Sequence, residues 1–359
     1  MMKYIFLGLS LIFLILSSCR RDKISRSVTA YNLDVPSHFP DMPIPEDNPM
    51  TNEGVELGRK LFYEKKLSRD NSISCASCHS PENAFSDPDQ FSEGVDGQVG
   101  DRHSMALINL GWQTSFFWDG RAQTLEEQIL EPVTAPHEMD QSWSTTVQKL
   151  SSSTEYSNDF YTVFGVQNFD STHVSKAIAQ FLRTMISGSS KYDVMYKYQN
   201  SLPLTSEEQE IYNNITVEEW GGFDLFFSLS GGDCLHCHDG ALAQTNQFAN
   251  NGLDATFDDP GRMLVTGNPN DEGKFKVPTL RNIELTAPYM HDGRFSSLED
   301  VVNHYSSGLV NSPTIDPMME FADQGGVQLD FEEKQLLITF LKTFTDQEFV
   351  NNPDYQDPN

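Results

Sequence analysis

The sequence contains the pattern C-x-x-C-H twice, as CASCH at residues 75–79 and as CLHCH at residues 234–238. This spacing is typical of covalent c-type haem attachment, whereas C-x-x-C alone also occurs in zinc sites and thioredoxin-like redox sites. Two cysteines three residues apart share one face of a helical turn, so their thiols can reach both vinyl groups of one porphyrin. The histidine that follows can supply an imidazole ligand to the iron. The pattern predicts two covalently bound haem c groups, held by Cys75, Cys78 and His79 and by Cys234, Cys237 and His238.

The zinc and thioredoxin alternatives fit the sequence less well. A four-cysteine zinc ribbon spaces its pairs about 15–20 residues apart, but 155 residues separate Cys78 from Cys234. Neither pair lies in a βαβ pattern, which is the setting of a thioredoxin-like motif. The one remaining cysteine is Cys19. Every cysteine after the N-terminal segment therefore belongs to a haem motif.

The N-terminal residues indicate export from the cytoplasm. One lysine precedes an apolar run over residues 4–16, which ends in the small-residue stretch LSSC. Such a run is too short to span a bilayer comfortably and has the form of a signal-peptide core. We interpret residues 1–19 as a bacterial lipoprotein signal peptide in which Cys19 carries the lipid, with an ordinary secretory signal as the alternative. Both interpretations predict a periplasmic protein, and the first adds a lipid anchor to a membrane.

The charge of the chain restricts its partners. The sequence has 52 acidic and 24 basic residues, which gives a formal net charge of −28. This excess disfavours nucleic-acid binding and favours cationic partners. A small basic cytochrome c, or another periplasmic redox protein, fits as an electron donor. A solvated acidic surface without any partner explains the charge equally well.

The distribution of apolar residues predicts a mainly α fold. Residues 20–50 are rich in Pro, Asp and Ser and indicate a linker. We expect two cytochrome c-like haem domains with long haem-wrapping loops, at residues 51–200 and 201–359. Helices are predicted from periodicity or from a capping box beginning at Thr205, over residues 52–65, 173–193 and 331–344 and after Thr205.

Several longer stretches resemble one protein family. They are GRKLFYEKKLS, FFWDGRAQTLEEQILEPV, PHEM and FKVPTLRNIELTAPYMHDGRFSSLEDVV, together with the two haem motifs. From about Leu57 to Phe344 the chain resembles the bacterial di-haem cytochrome c peroxidases and their MauG-type relatives. The resemblance implies that the N-terminal haem is the peroxide site and that the C-terminal haem exchanges electrons.

The resemblance also implies roles for three residues near the haems. Glu138 in PHEM matches the distal acid–base, Gln128 in LEEQ matches its polar companion, and Trp118 in FFWDGR matches an indole between the haems. Cleavage of peroxide moves a proton between its oxygens, which a carboxylate can do, and an amide can orient the bound molecule. Without the resemblance, Glu138 could cap a turn, Gln128 could face solvent, and Trp118 could simply pack in the core.

Two departures from the family concern metal ligation. Thr286 and Pro288 match positions whose carbonyls bind calcium, which makes calcium a further expected ion, but His103 stands where the family has an asparagine ligand. Because calcium prefers oxygen ligands, His103 puts this site in doubt. The loop at residues 92–100 lacks the histidine that blocks the iron in reductively activated peroxidases. We therefore expect an open distal position, with His103 as an alternative ligand.

The distal ligand of the second haem separates the two branches of the family. The matching position is Tyr305, fourteen residues after His291; the peroxidases have methionine there and the MauG-type enzymes have tyrosine. A phenolate ligand lowers the potential of the haem relative to methionine. The alternatives are Met318, Met319 and His304, or a tyrosine that only packs at a domain boundary.

Three functions follow from these residues. The first is a di-haem peroxidase that reduces hydrogen peroxide to water with electrons passed through the second haem. The second is a MauG-like oxidase that uses peroxide to oxidise a partner protein or small molecule. The third is a non-catalytic di-haem electron-transfer cytochrome, which would have no use for Glu138 and Gln128.

Overall fold

The computed structural model describes residues 27–229 and 231–358, so the proposed signal peptide and Cys19 lie outside the described residues. The described chain is mainly helical, with a two-stranded antiparallel pair and long irregular connections. No helix in these ranges has the length and apolar character needed to cross a bilayer. The elements are α1 (Asn52–Phe62), α2 (Leu125–Thr134), α3 (Trp143–Ser151), α4 (Thr154–Phe164), α5 (Ser171–Thr184), α6 (Lys191–Gln199), α7 (Ser206–Asn213), α8 (Val217–Phe227), β1 (Phe248–Ala249), α9 (Met263–Thr266), β2 (Phe275–Lys276), α10 (Leu298–Asn303), α11 (Phe331–Leu341) and α12 (Gln347–Val350).

Helices α1 and α5, which precede and follow the first C-x-x-C-H motif in the sequence, pack against each other. The side chain of Thr51 caps α1 by accepting a hydrogen bond from the backbone N–H of Gly54. At Gly58 the two helices approach so closely that a Cβ atom would lie 2.0 Å from the carbonyl oxygen of Ala177. Glycine is therefore required here by the helix contact, because any side chain would push the helices apart.

Helices α8 and α11 repeat this arrangement on either side of the second C-x-x-C-H motif in the sequence. Thr216 caps α8 and accepts a hydrogen bond from the backbone N–H of Glu219. A Cβ atom added at Gly222 would lie 2.1 Å from the carbonyl oxygen of Leu336 on α11. In each pair, a glycine-bearing helix before a C-x-x-C-H motif packs against a helix that follows the motif. The two helix pairs thus share the same kind of close contact at a glycine.

The C-terminal residues pack into the core around α1 and α5. Phe349 and Tyr355 are buried in the same apolar cluster as Leu61 and Phe181. The phenol of Tyr355 donates a hydrogen bond of 2.6 Å to the carbonyl of Thr184. The chain after α11 thus contributes to the core around α1 and α5.

Residues 27–50 are irregular, as a linker predicts, but they lie against the folded body. The indole of Trp112 donates a hydrogen bond of 2.9 Å to the carbonyl of Pro40. The ring of Phe39 packs edge-on against Trp112, with ring centroids 5.4 Å apart. This packing fixes the segment in place along its second half.

The single helix predicted over residues 173–193 is wrong. Helix α5 ends at Thr184 and α6 begins at Lys191. Between them, the backbone N–H groups of residues 188 and 189 donate to one carboxylate oxygen of Asp346, at 2.9 and 3.0 Å. This buried acceptor replaces the helical partners of those N–H groups. The helices predicted over residues 52–65 and 331–344 are confirmed, although their α-helical parts end at Phe62 and Leu341.

Candidate haem-binding cavities

Both C-x-x-C-H motifs form the helical turn that haem attachment requires. In each motif this turn is a 3₁₀ helix, at Cys75–Ser77 in the first and at Cys234–His236 in the second. The backbone N–H of His79 donates to Cys75 O at 3.1 Å, and that of His238 donates to Cys234 O at 3.0 Å. All four cysteines of the two motifs are free thiols. Their spacing and free thiols fit two thioether bonds per porphyrin.

The first motif opens into a cavity, here called the first cavity, whose wall includes Cys75, Cys78 and His79. The Nδ1 atom of His79 lies 3.0 Å from the carbonyl oxygen of Phe85. A hydrogen bond from Nδ1 leaves Nε2 free for a metal ion and sets the orientation of the ring. Burial lowers the pKa of His79, which favours the neutral imidazole that binds iron.

The second motif lines a separate cavity, here called the second cavity, with Cys234, Cys237 and His238 in its wall. Burial lowers the pKa of His238 to about 4, so its imidazole is neutral at physiological pH. Tyr305 lies in the wall of the same cavity. The residues of both cavities therefore fit a haem, which supplies iron redox chemistry when bound.

Glu138 lies in the wall of the first cavity, on the turn that follows α2. The loop at residues 92–100 supports this turn: the N–H of Val95 donates to the carbonyl of Glu138 at 2.8 Å. A Cβ atom at Gly94 would lie 2.2 Å from the carbonyl oxygen of His137, so the loop can approach only with glycine there. Burial raises the pKa of the Glu138 carboxyl, which suits a group that both accepts and releases a proton.

Gln128 lies on α2 and also lines the first cavity. The helix is placed by Ile129 and Val133, which are buried in the first core. At its N-terminus, Thr124 and Glu127 form a capping box. The structure therefore brings Gln128 and Glu138 to the same cavity as the first haem motif.

A shared wall separates the two cavities. We use this name for the six residues that line both cavities: His103, Ser104, Met105, Ala106, Gln113 and Trp118. The indole Nε1 of Trp118 donates a hydrogen bond of 2.8 Å to the carbonyl of His103. The N–H of His103 in turn donates to the carbonyl of His291 at 2.7 Å. Trp118 thus lies between the two cavities.

The ring of His103 is engaged within the protein. Its Nε2 lies 3.3 Å from Ser86 Oγ, and its Nδ1 lies 3.3 Å from the carbonyl oxygen of Gln90. The side chain is buried, with 6% of its surface exposed. Both ring nitrogens therefore have protein partners, so this arrangement offers neither of them to an iron.

Tyr305 lies in a π-helical turn over His304–Gly308 and faces the second cavity. Its hydroxyl oxygen accepts a hydrogen bond of 3.2 Å from the amide of Asn251. Burial raises the pKa of the phenol to about 12. Among the alternatives, Met318 and Met319 also line this cavity.

His304 has a different environment. Its Nε2 lies 3.1 Å from the carbonyl oxygen of Asn251, and its ring packs against Phe295 with centroids 5.5 Å apart. Among the described residues, the wall of the second cavity includes Tyr305 but not His304. Thr286 and Pro288, the matched calcium positions, also line the second cavity.

Sequence reasoning missed two polar residues at the junction of the cavities. Lys276 on β2 is 1% exposed and lines the second cavity. Its ammonium donates a hydrogen bond to the side-chain oxygen of Gln113 in the shared wall. A lysine between Phe275 and Val277, with apolar side chains on both sides, was the available signal. The partner lies 163 positions away in the sequence, so no local spacing connects the two.

The chain is similar to di-haem proteins in sequence and in structure. The family model described as di-haem cytochrome c peroxidase matches residues 52–201. The methylamine utilization protein MauG of Methylorubrum extorquens is 34% identical over 315 residues, which cover 84% of this chain and 81% of that protein. Cytochrome c551 peroxidase of Nitrosomonas europaea is 32% identical over 327 residues, with 89% and 86% covered.

A solved structure extends this similarity to the fold. A MauG-like protein associated with microbial copper homeostasis matches with a TM-score of 0.80 and 32% sequence identity. The match covers 92% of this chain and 99% of that one. The similarity thus spans both cavities and the helices that carry them. The chain belongs to the di-haem cytochrome c peroxidase family, which includes the MauG-type proteins.

Proposed function

We propose that the chain is a di-haem c-type peroxidase that reduces hydrogen peroxide to water at the first cavity. The observation that carries this proposal is the position of Glu138 and Gln128 in the same cavity as Cys75, Cys78 and His79. A haem held at His79 supplies the iron that binds peroxide. An electron-transfer cytochrome has no need for a carboxyl and an amide at this place.

The protein side of the reaction is proton transfer and orientation. Glu138 accepts a proton from one peroxide oxygen and returns it to the other, so that water can leave. The raised pKa of its carboxyl, which burial causes, favours the return of the proton. Gln128 orients the peroxide through its amide without adding charge. The loop at residues 92–100 packs against the turn of Glu138 and contains no histidine, so it would offer no imidazole to block a haem iron held at His79.

Electrons for this reaction enter at the second cavity and pass the shared wall at Trp118. A basic periplasmic redox protein, such as a small cytochrome c, suits the chain's net charge of −28 as donor.

We further infer that the protein is exported and attached to a membrane through lipid at Cys19, which intact-mass measurement of the mature protein would reveal. Calcium at Thr286 and Pro288 is tested by chelation: loss of activity that calcium restores supports the ion, and an unchanged activity contradicts it.

A MauG-like oxidase is the second candidate, and Tyr305 in the wall of the second cavity favours it. A phenolate ligand lowers the potential of that haem, which makes it a poor electron acceptor and a better place to hold an oxidising equivalent. Oxidation of a partner protein or small molecule would then replace uptake of electrons from a donor.

Steady-state assays of the haem-loaded protein separate these functions. We expect peroxide consumption that depends on a reduced cytochrome donor. Peroxide consumption that needs no donor, and instead oxidises an added protein or small molecule, would favour the MauG-like function. An oxidised protein whose spectrum does not respond to peroxide, before or after partial reduction, would leave only the electron-transfer cytochrome.

A further inference from the structure

Lys276 is a lysine whose side chain lies in the interior of the protein. Its side chain is almost fully buried, and its backbone N–H donates to the carbonyl of Trp118 at 2.7 Å. The ammonium contacts the neutral oxygen of Gln113 and lies 5.7 Å from the centroid of the Phe116 ring. In the part of the chain that the structure describes, no acidic side chain forms an ion pair with it.

A comparison with the other cations of the cavities shows how unusual this is. Four lysine or arginine side chains line the two cavities among the described residues. The other three are paired with carboxylates: Arg102 with Asp119 and Asp259, Arg121 with Asp119 and Glu131, and Arg281 with Asp193.

A buried ammonium without an anionic partner is unfavourable. Removing such a charge from water costs far more than an amide contact returns, and proteins pair buried charges or neutralise them. Burial alone lowers the pKa of Lys276 to about 7. A charged Lys276 therefore calls for an anion, and none of the residues that the structure describes provides one there.

The haem can provide that anion. A haem c has its two thioether bonds on one edge of the porphyrin and its two propionate carboxylates on the opposite edge. Cys234 and Cys237 line the second cavity but are not part of the shared wall. Lys276 lines the same cavity and bonds to Gln113 in the shared wall. Lys276 is thus joined to the wall between the cavities, of which neither cysteine is a part.

We propose that Lys276 is a haem-binding residue of the second cavity whose ammonium pairs with the propionate carboxylates of the haem there. The inference rests on the assignment of a haem to Cys234, Cys237 and His238. In this pair the positive charge of Lys276 is balanced by a propionate, next to Trp118 and Gln113 in the wall between the cavities. A cation near a haem stabilises its reduced form, so Lys276 raises the reduction potential of the second haem.

Potentiometric titration of haem-loaded variants tests this proposal. Lys276→Met keeps the length of the side chain and removes its charge, and Lys276→Arg keeps the charge. Lys274→Met is the matched control, because Lys274 is two residues away, is paired with Asp271 and does not line either cavity. The second readout is the propionate bending band in resonance Raman spectra, which reports hydrogen bonding at the carboxylates.

We expect Lys276→Met to lower the midpoint potential of the second haem and to shift the propionate band. Lys276→Arg and Lys274→Met should keep a midpoint potential and a propionate band close to those of the wild type. Loss of the second haem in Lys276→Met alone also supports the proposal. A Lys276→Met protein with both haems, an unchanged midpoint and an unchanged band overturns it.

A further variant keeps the test decisive if neither Lys276 variant takes up haem. Gln113→Leu removes the neutral partner of the ammonium, so the propionate pair tightens and the band shifts; an unchanged band contradicts the proposal. Haem staining and intact mass of the wild type form a separate check. Fewer than two covalent haems there would refute the haem assignment itself rather than the role of Lys276.

Discussion

Trp118 and His103 are joined by a hydrogen bond of 2.8 Å from the indole nitrogen to the backbone carbonyl, and both residues line both cavities. The bond fixes the plane of the indole within the shared wall. The next link, from the His103 N–H to the carbonyl of His291, ties this wall to the stretch that precedes Tyr305. The position of one oxidisable ring is thus set by backbone groups from both halves of the chain.

Replacement of this ring tests its role in electron transfer. Trp118→Phe keeps an aromatic ring but removes the indole nitrogen and the more easily oxidised ring. We expect donor-dependent peroxide turnover to fall to a small fraction of the wild-type rate, while the first reaction of the protein with peroxide remains fast. Stopped-flow and steady-state assays measure the two rates separately.

The control for Trp118 is Trp143→Phe. The indole of Trp143 also donates to a backbone carbonyl, that of Leu130 at 2.9 Å, but Trp143 lines neither cavity. We expect this variant to keep both rates. Equal losses in the two variants would show that Trp118 acts through packing alone.

Tyr305→Met tests the ligand of the second haem. A thioether ligand raises the potential of a haem above that with a phenolate, so we expect the midpoint potential of the second haem to rise. Potentiometric titration followed by optical spectroscopy measures it. Tyr198→Met is the control, because Tyr198 is 50% exposed and lines neither cavity. An unchanged potential in Tyr305→Met would contradict Tyr305 as the ligand and favour Met318 or Met319 instead.

Asp193 is predicted to be important for stability. Its carboxylate accepts hydrogen bonds of 2.5 and 2.6 Å from the guanidinium of Arg281, and both side chains are buried. Asp193→Ala leaves the Arg281 charge buried and unpaired, which lowers the free energy of unfolding by about 3–5 kcal/mol. Guanidinium denaturation of the haem-loaded protein measures this loss.

A surface ion pair provides the comparison for Asp193. Asp47 pairs with Lys176 at 2.8 Å, but its side chain is 75% exposed. Asp47→Ala should therefore change the free energy of unfolding by less than about 1 kcal/mol. Similar losses in the two variants would mean that the Arg281 charge finds another partner.

The pH dependence of turnover follows from Glu138. Burial raises the pKa of its carboxyl above that of an exposed glutamate. The ionised form of Glu138 accepts the first proton from peroxide. We therefore expect kcat/KM for peroxide to be low at pH values below this raised pKa and to increase as the pH passes through it, which gives the pH profile an acid limb. In Glu138→Gln this acid limb should disappear. An acid limb that persists unchanged in the variant would assign it to another group.

The sequence was sufficient to predict the features that depend on local spacing. Each haem motif spans only five consecutive residues, and both motifs form the helical turns expected of them. The ends of helix α5 were not predictable in this way. Helix α5 ends at Thr184, and the chain after it stays non-helical because Asp346, far away in the sequence, accepts hydrogen bonds from the hydroxyl of Ser187 and from the next two backbone N–H groups.

The same distinction applies to the cavities. Glu138 and Gln128 were identified through short stretches that resemble a family, and the structure brings both to the first cavity. Lys276 and Gln113 meet only when the two halves of the chain pack together. Contacts of this kind depend on tertiary packing rather than on any periodicity, so one sequence read alone does not reveal them.

The reaction of the oxidised, haem-loaded protein with hydrogen peroxide tests the central claim most directly. Stopped-flow spectroscopy should compare the wild type with Glu138→Gln and with Glu56→Gln, whose side chain is 70% exposed on the surface. We predict a second-order rate constant about 10²–10⁴-fold lower in Glu138→Gln, as expected for the loss of a general acid–base. The Glu56→Gln protein should match the wild type. A Glu138→Gln protein with both haems that reacts as fast as the wild type would contradict the account.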